Sequence, residues 1–147
     1  MSVMIVEDEA LVALVMQEIL TEAGFTVCGL ADTPDGARAL DRGHAPHLAV
    51  IDVRLAAGED GITLAASLAA SRPIGILFAT GNPGEVRARA RVGHGCLAKP
   101  FEAAWLIAAL RAIERGAAAH ADIPAFFPLS FSKASPFLCQ AKPDSTI

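Results

Sequence analysis

The sequence predicts a doubly wound α/β domain, a five-stranded parallel sheet with five helices on its two faces. Short apolar, strand-like runs alternate with helical periodicity five times over the first 115 residues. Repeated βα units of this kind build parallel sheets covered on both sides. The central run, residues 48–51, is apolar at every position, as a strand buried on both faces must be. A length of 147 residues suits one such domain.

Each element carries its own signal. Val3–Val6 reads as the first strand. Val12, Val15, Met16 and Ile19 recur at helical spacing and predict one apolar stripe on a helix that Gly24 stops. Thr26–Leu30 reads as the second strand. Thr33 and Pro34 form an N-cap and first helical position for a short helix to Leu40. Leu48–Ile51 is the third strand and ends at Asp52. Ile62–Ala70 is the third helix, Ile74–Ala79 the fourth strand and Glu85–Val92 the fourth helix. Gly95–Ala98 is the fifth strand. The last helix runs from Phe101 to Glu114 with Leu106, Leu110 and Ile113 on one side, and Trp105 is expected to pack on it.

Composition narrows the function. Net charge is −4, and the densest basic stretch, Arg87-Ala-Arg-Ala-Arg91, reads as the exposed face of a short helix. A nucleic-acid binder needs a stronger positive footprint. No apolar run approaches the roughly 20 residues that span a bilayer, and Val3–Val6 is too short for a signal peptide. A cytoplasmic location is therefore expected. Cys28, Cys96 and Cys139 match no zinc spacing and read as reduced thiols. His44, His47, His94 and His120 lack metal-ligand spacing, Gly81–Gly84 lacks the Lys and length of a phosphate loop, and no nucleophile elbow occurs.

Ligands of open parallel sheets bind beyond the carboxyl ends of the strands, and those ends carry a non-random set. Glu7 and Asp8 follow the first strand, Asp52 the third, Thr80 the fourth, and Lys99 with Pro100 the fifth. In a flavodoxin-like order, 2-1-3-4-5, the first and third strands are neighbours, so three carboxylates would meet beside a hydroxyl and an ammonium. Three bare carboxylates repel one another strongly. A hard cation, Mg²⁺, would relieve this with oxygen ligands and retained waters. Attack by Asp52 on phosphorus would give an acyl phosphate, with Lys99 and Thr80 placed on the phosphoryl oxygens. Taken singly, each residue has a plainer explanation: helix N-terminal acids, a turn Asp, turn chemistry at Thr80 before Gly81-Asn82-Pro83, a solvated Lys. Four elements delivering the right group at the same end make the joint pattern the stronger argument.

At these positions the sequence resembles the receiver domain of two-component response regulators. The matching stretches are residues 3–9, 49–55, Phe78-Ala79-Thr80-Gly81 and Leu97-Ala98-Lys99-Pro100-Phe101, within a span of about 3–115. The resemblance implies a single-domain, Mg²⁺-dependent phosphoacceptor that takes a phosphoryl group from a sensor histidine kinase onto Asp52. It makes Asp8 a direct Mg²⁺ ligand, gives Glu7 a hold mainly through water, and adds Asp52 and the Arg54 backbone carbonyl. Thr80 and Lys99 would bind the phosphoryl oxygens. Signalling by contact with a downstream regulator or phosphotransfer protein is implied, with no chemistry beyond self-directed phosphotransfer and autodephosphorylation.

The sequence also departs from the pattern. Ala56 stands where receivers usually have Pro, and the loop to Gly61 is one residue longer. Cys96 takes the place of the switch aromatic three residues before the Lys. With Phe78-Ala79-Thr80-Gly81, that substitution resembles the FAT GUY subgroup of single-domain receivers. Arg54 and Asn82 stand two residues beyond Asp52 and Thr80, where the family tunes phosphoryl lifetime.

Residues 1–116 are thus expected to be the receiver and 117–147 a tail without a separate output domain. The tail holds Pro124, Pro128, Pro136 and Pro143 together with Phe126, Phe127, Phe131 and Phe137. Proline this dense forbids a long helix, yet the segment is apolar for a disordered tail. It either docks on the face of the fourth helix, fifth strand and fifth helix or remains a poorly specified extension. Other classes stay open. An aspartyl-nucleophile phosphatase would want an acid where Arg54 stands, and a flavin module would want hydroxyl and glycine donors in place of Glu7 and Asp8. A phosphate-independent pseudo-receiver would not need the complete acid, Thr and Lys set.

Overall fold

A computed structural model describes residues 1–56, 58–116 and 123–129. Its elements run β1 (Ser2–Val6), α1 (Ala10–Glu22), β2 (Thr26–Ala31), α2 (Pro34–His44), β3 (Leu48–Ile51), α3 (Gly61–Ser71), β4 (Gly75–Thr80), α4 (Pro83–Arg89), β5 (Gly95–Ala98), α5 (Ala103–Arg115) and β6 (Phe126–Pro128). The sheet order is β2-β1-β3-β4-β5-β6. The five expected strands are parallel in the expected order, and the first departure is the sixth strand, which pairs antiparallel to β5.

The register is simple. Ala31, Val6, Ile51, Phe78, Cys96 and Phe127 form one row across all six strands. This row lies on the sheet face covered by α2, α3 and α4, in a core with Ala37, Leu64, Leu68 and Val86. The opposite face packs Val3, Ile5, Val50, Leu77 and Leu97 against α1 and α5, through Met16, Leu20, Leu106, Leu110 and Ile113. The apolar side expected for α5 is therefore the one it buries.

Local chemistry explains the ends of several elements. Thr33 Oγ1 accepts from Gly36 N at 3.1 Å and caps α2 ahead of Pro34. The helix runs on to His44, beyond Leu40, because Asp41 faces inward and is held there. Arg72 Nε and Nη2 donate to Asp41 Oδ1 at 3.0 and 2.5 Å, and Arg72 Nη2 reaches the Pro46 carbonyl at 2.6 Å. Asp60 caps α3 by accepting from Thr63 N at 2.9 Å. In α4 the start moves back to Pro83, at the first helical turn, and the helix stops at Arg89.

The stripe expected on α1 holds at Met16 and, part-buried, at Val12 and Ile19, and is corrected at Val15. Ala13, Met16 and Leu20 face the core, whereas Val15 is 49% exposed and Leu11 and Leu14 are more so, at 75% and 53%. The helix is apolar nearly all round, so spacing alone does not choose a face. The expectation for Trp105 holds, since it packs on the α1–α5 core half-buried. His120, Cys139, Phe131, Phe137, Pro136 and Pro143 lie outside the described residues.

Arg72 is the tie between α2, the loop to β3 and the C-terminal end of α3. Replacing Arg72 with Met should lower unfolding free energy by about 2–3 kcal/mol, since a mostly buried carboxylate and a carbonyl lose their donor. Chemical denaturation checks this, and the double change R72M with D41L should cost less than R72M alone.

Candidate functional site

The site is built by the sheet's own ladder. Glu7 N donates to the Ala31 carbonyl at 2.9 Å, Asp52 N to the Val6 carbonyl at 2.9 Å and Lys99 N to the Thr80 carbonyl at 2.8 Å. Glu7, Asp52 and Lys99 are each the first residue past a strand, yet each backbone N–H is still fixed to the neighbouring strand. Their side chains are thus anchored at the same edge of the sheet.

Those side chains converge. Ligand oxygens of Glu7, Asp8 and Asp52 all lie within 4.8 Å of one another. Lys99 Nζ donates to Glu7 Oε1 at 2.9 Å and to Asp52 Oδ2 at 3.1 Å. The Glu7 side chain is fully buried, Asp52 is partly open and Asp8 is exposed, so the site deepens from Asp8 at the mouth to Glu7 at the floor. Arg54 is exposed, and its N–H lies 3.4 Å from Asp52 Oδ1. Thr80 is buried at the end of β4, where its Oγ1 accepts from Asn82 N at 3.1 Å. The sequence-selected residues therefore meet, with Thr80 joined through its backbone to Lys99 and its hydroxyl turned to the head of α4.

Charge decides what this pocket can hold. Burial first, and then the adjoining Asp52, push the Glu7 carboxyl up to about 8. Burial lowers Lys99, but its hydrogen bond to Glu7 and the negative charge of Asp52 outweigh that and leave it raised. One ammonium does not balance three acids, so a proton stays in the cluster near neutrality. Glu7 Oε2 is buried without a hydrogen-bond partner among the described residues. An orphaned buried carboxylate oxygen beside two further carboxylates is the donor set of a hard divalent cation. Glu7, Asp8 and Asp52 fit Mg²⁺.

Sequence reasoning missed two contributors. Gly61 packs so tightly under the Asp52 backbone that a Cβ there would overlap its carbonyl oxygen, while Gly61 N donates to the Val53 carbonyl at 2.7 Å. Only the glycine between a loop and an N-capped helix hinted at this. The second is the brace from Arg89 in α4 to Asp60 at 2.6 Å, with Arg89 also paired to Glu85 at 2.6 Å. It joins α4 to the loop that follows Asp52, and no local pattern marks it.

The site agrees with the comparisons. A sequence profile of the response regulator receiver domain matches residues 3–111. The transcriptional regulatory protein PdtaR of Mycobacterium tuberculosis is 37% identical over 111 residues, which is 74% of this chain and 54% of that protein. The chain thus spans about half the length of the curated relatives it matches. The response regulator PhyR from Brucella abortus superposes with a TM-score of 0.67 at 29% identity, covering 76% of this chain and 46% of that one. The receiver domain of Erythrobacter litoralis PhyR gives 0.69 at 22% identity, covering 76% and 88%, and speaks to the fold alone.

Two outcomes follow from this geometry. Folded Glu7 keeps its proton to about pH 8 against a reference of 4.5, so without divalent cations stability should fall as pH rises between those values. Melting curves across that range check it, and Glu7→Gln should flatten the dependence. Gly61→Ala should destabilise by about 1–3 kcal/mol through overpacking, measured by denaturant titration.

Proposed function

The chain belongs to the response regulator receiver domain family, and on that premise we propose that it is a Mg²⁺-dependent phosphoacceptor whose Asp52 takes a phosphoryl group from a sensor histidine kinase. The observation that carries this reading is the Lys99 ammonium shared between Glu7 and Asp52, beside an oxygen of Glu7 with no hydrogen-bond partner among the described residues. Asp52 supplies the nucleophile, a partly open carboxylate between exposed Asp8 at the mouth and buried Glu7 at the floor. An Asp52 oxygen bonds to phosphorus as the phosphorus–nitrogen bond of the donor breaks, and the imidazole leaves with the electron pair.

Glu7, Asp8, Asp52 and the Arg54 backbone carbonyl would hold the cation. Bound there, Mg²⁺ would neutralise acid repulsion and charge on the phosphoryl oxygens. Lys99 adds a second positive charge and is already fixed against Asp52. Thr80 donates its hydroxyl to a phosphoryl oxygen, which draws Oγ1 away from Asn82 N and loosens the start of α4. That release is the proposed switch. Because Cys96 is buried and carries no ring, the usual movement of a β5 aromatic has to be replaced. The Phe78–Gly81 motif supports placing the chain in the FAT GUY subgroup.

The exposed Leu11, Leu14 and Val15 on α1 support a helical phosphodonor as partner. They start one turn after Asp8, so a helix lying on them would present a histidine to the mouth of the site. We read residues 1–116 as the signalling unit and its output as protein contact with a downstream regulator or phosphotransfer protein. No helix among the described residues is long and apolar enough to cross a membrane, and a cytoplasmic location fits a kinase partner.

Incubation with acetyl phosphate and Mg²⁺ should add one phosphoryl group to the intact mass. EDTA or Asp52→Asn should abolish the gain. Steady hydrolysis of a phosphate ester without that adduct would replace the reading with a phosphatase.

A further inference from the structure

The sixth strand gives residues 123–129 a defined place. Ala98 N donates to the Ala125 carbonyl at 2.8 Å and Leu129 N to the His94 carbonyl at 3.2 Å. Between them Leu97, Cys96 and Gly95 pair with Phe126, Phe127 and Pro128. Phe126 joins the α1–α5 core and Phe127 the core under α4, so two consecutive rings straddle the sheet. Gly95 makes room for the first, since a Cβ there would overlap the Phe126 ring. Phe127 stands opposite Cys96, and the Arg87 guanidinium of α4 lies 3.9 Å from its ring centroid.

From this we propose that the outer edge of β5 is a strand-addition surface for an extended segment with paired aromatics. Ile123–Leu129 occupies it as an internal competitor, and phosphorylation of Asp52 releases it to a partner's segment of the same chemistry. The inference rests on the phosphoacceptor reading and extends it to the output. The occupant itself defines the chemistry: extended backbone, one ring for each face of the sheet, and a proline with no N–H to offer.

The tail touches both elements that leave the phosphoryl-binding residues. Its bond to Ala98 lies one residue before Lys99. Its ring sits under Arg87, on the short helix that follows Thr80 and Asn82. Three paired residues form a weak ladder, so the ring contacts hold much of it. The Arg87 cation over the aromatic face adds electrostatic attraction to that packing. When Thr80 lets go of Asn82, α4 shifts, Arg87 leaves the ring and the remaining bonds are too few to keep the strand. Phe127 thereby does from the tail what a ring at Cys96 would do from β5.

The test uses the full chain with acetyl phosphate and Mg²⁺, reading intact mass, amide exchange at Ala98 and Leu129, and binding of a labelled peptide of sequence 123–129. Samples carrying the adduct should exchange about ten-fold faster at both amides and bind the peptide, and untreated chain should do neither. Phe127→Ala should exchange fast and bind the peptide without phosphate, while still forming the adduct. An adduct with unchanged protection overturns the release alone. An exposed edge that ignores the peptide overturns strand addition, and F127A as protected as the parent overturns the role of the ring. Absence of the adduct sinks the phosphoacceptor reading and the release together.

Discussion

Three clustered carboxylates, two of them bonded to one ammonium, set the terms for this molecule. The sheet register forces the gathering, because Glu7 and Asp52 follow adjacent strands and Lys99 follows the next strand but one. Coulomb repulsion among such groups at short range amounts to several kcal/mol in a partly buried setting. The fold withstands it through Lys99 and a retained proton, and stays poised for further positive charge. The same repulsion that costs stability is the one a bound hard cation would relieve.

The parallel sheet runs a continuous packed row from the acidic cluster to the edge of the molecule. Phe78 and Cys96 are fully buried and continue the row that begins beside Glu7 and Asp52 and ends at Phe127. Packed rows of this sort do not deform gradually, because interiors are close-packed and settle into discrete arrangements. The two places where the row can give are its margins. One is α4, a seven-residue helix tied to its neighbours by Arg89 and Arg87. The other is the short edge strand beside it.

Most of the parallel sheet and the whole acidic site were legible in the sequence, for a physical reason. Strands buried on both faces must be apolar throughout, so a polar residue that ends one stands out, as Asp52 does after Leu48–Ile51. Helix faces were less legible. Every residue from Ala10 to Met16 is apolar, and only tertiary packing decides that Leu11 and Leu14 face solvent while Ala13 and Met16 do not. The start of α4 was obscured by Gly84, although Pro83 already suits a first helical turn. The sixth strand had no local signature at all. Two phenylalanines and a proline make no alternating pattern, and such a strand exists only because β5 presents an open edge with Gly95 cut to fit.

Cys96 carries one more implication. Its thiol is fully buried, and burial pushes it up to about 12, while Cys28 is also raised by burial. Oxidants and alkylating agents attack thiolates rather than thiols, so the sealed Cys96 sulfur is a poor target at neutral pH. Sealed in this way, Cys96 stands in the middle of its sheet row shielded from the redox state of its surroundings.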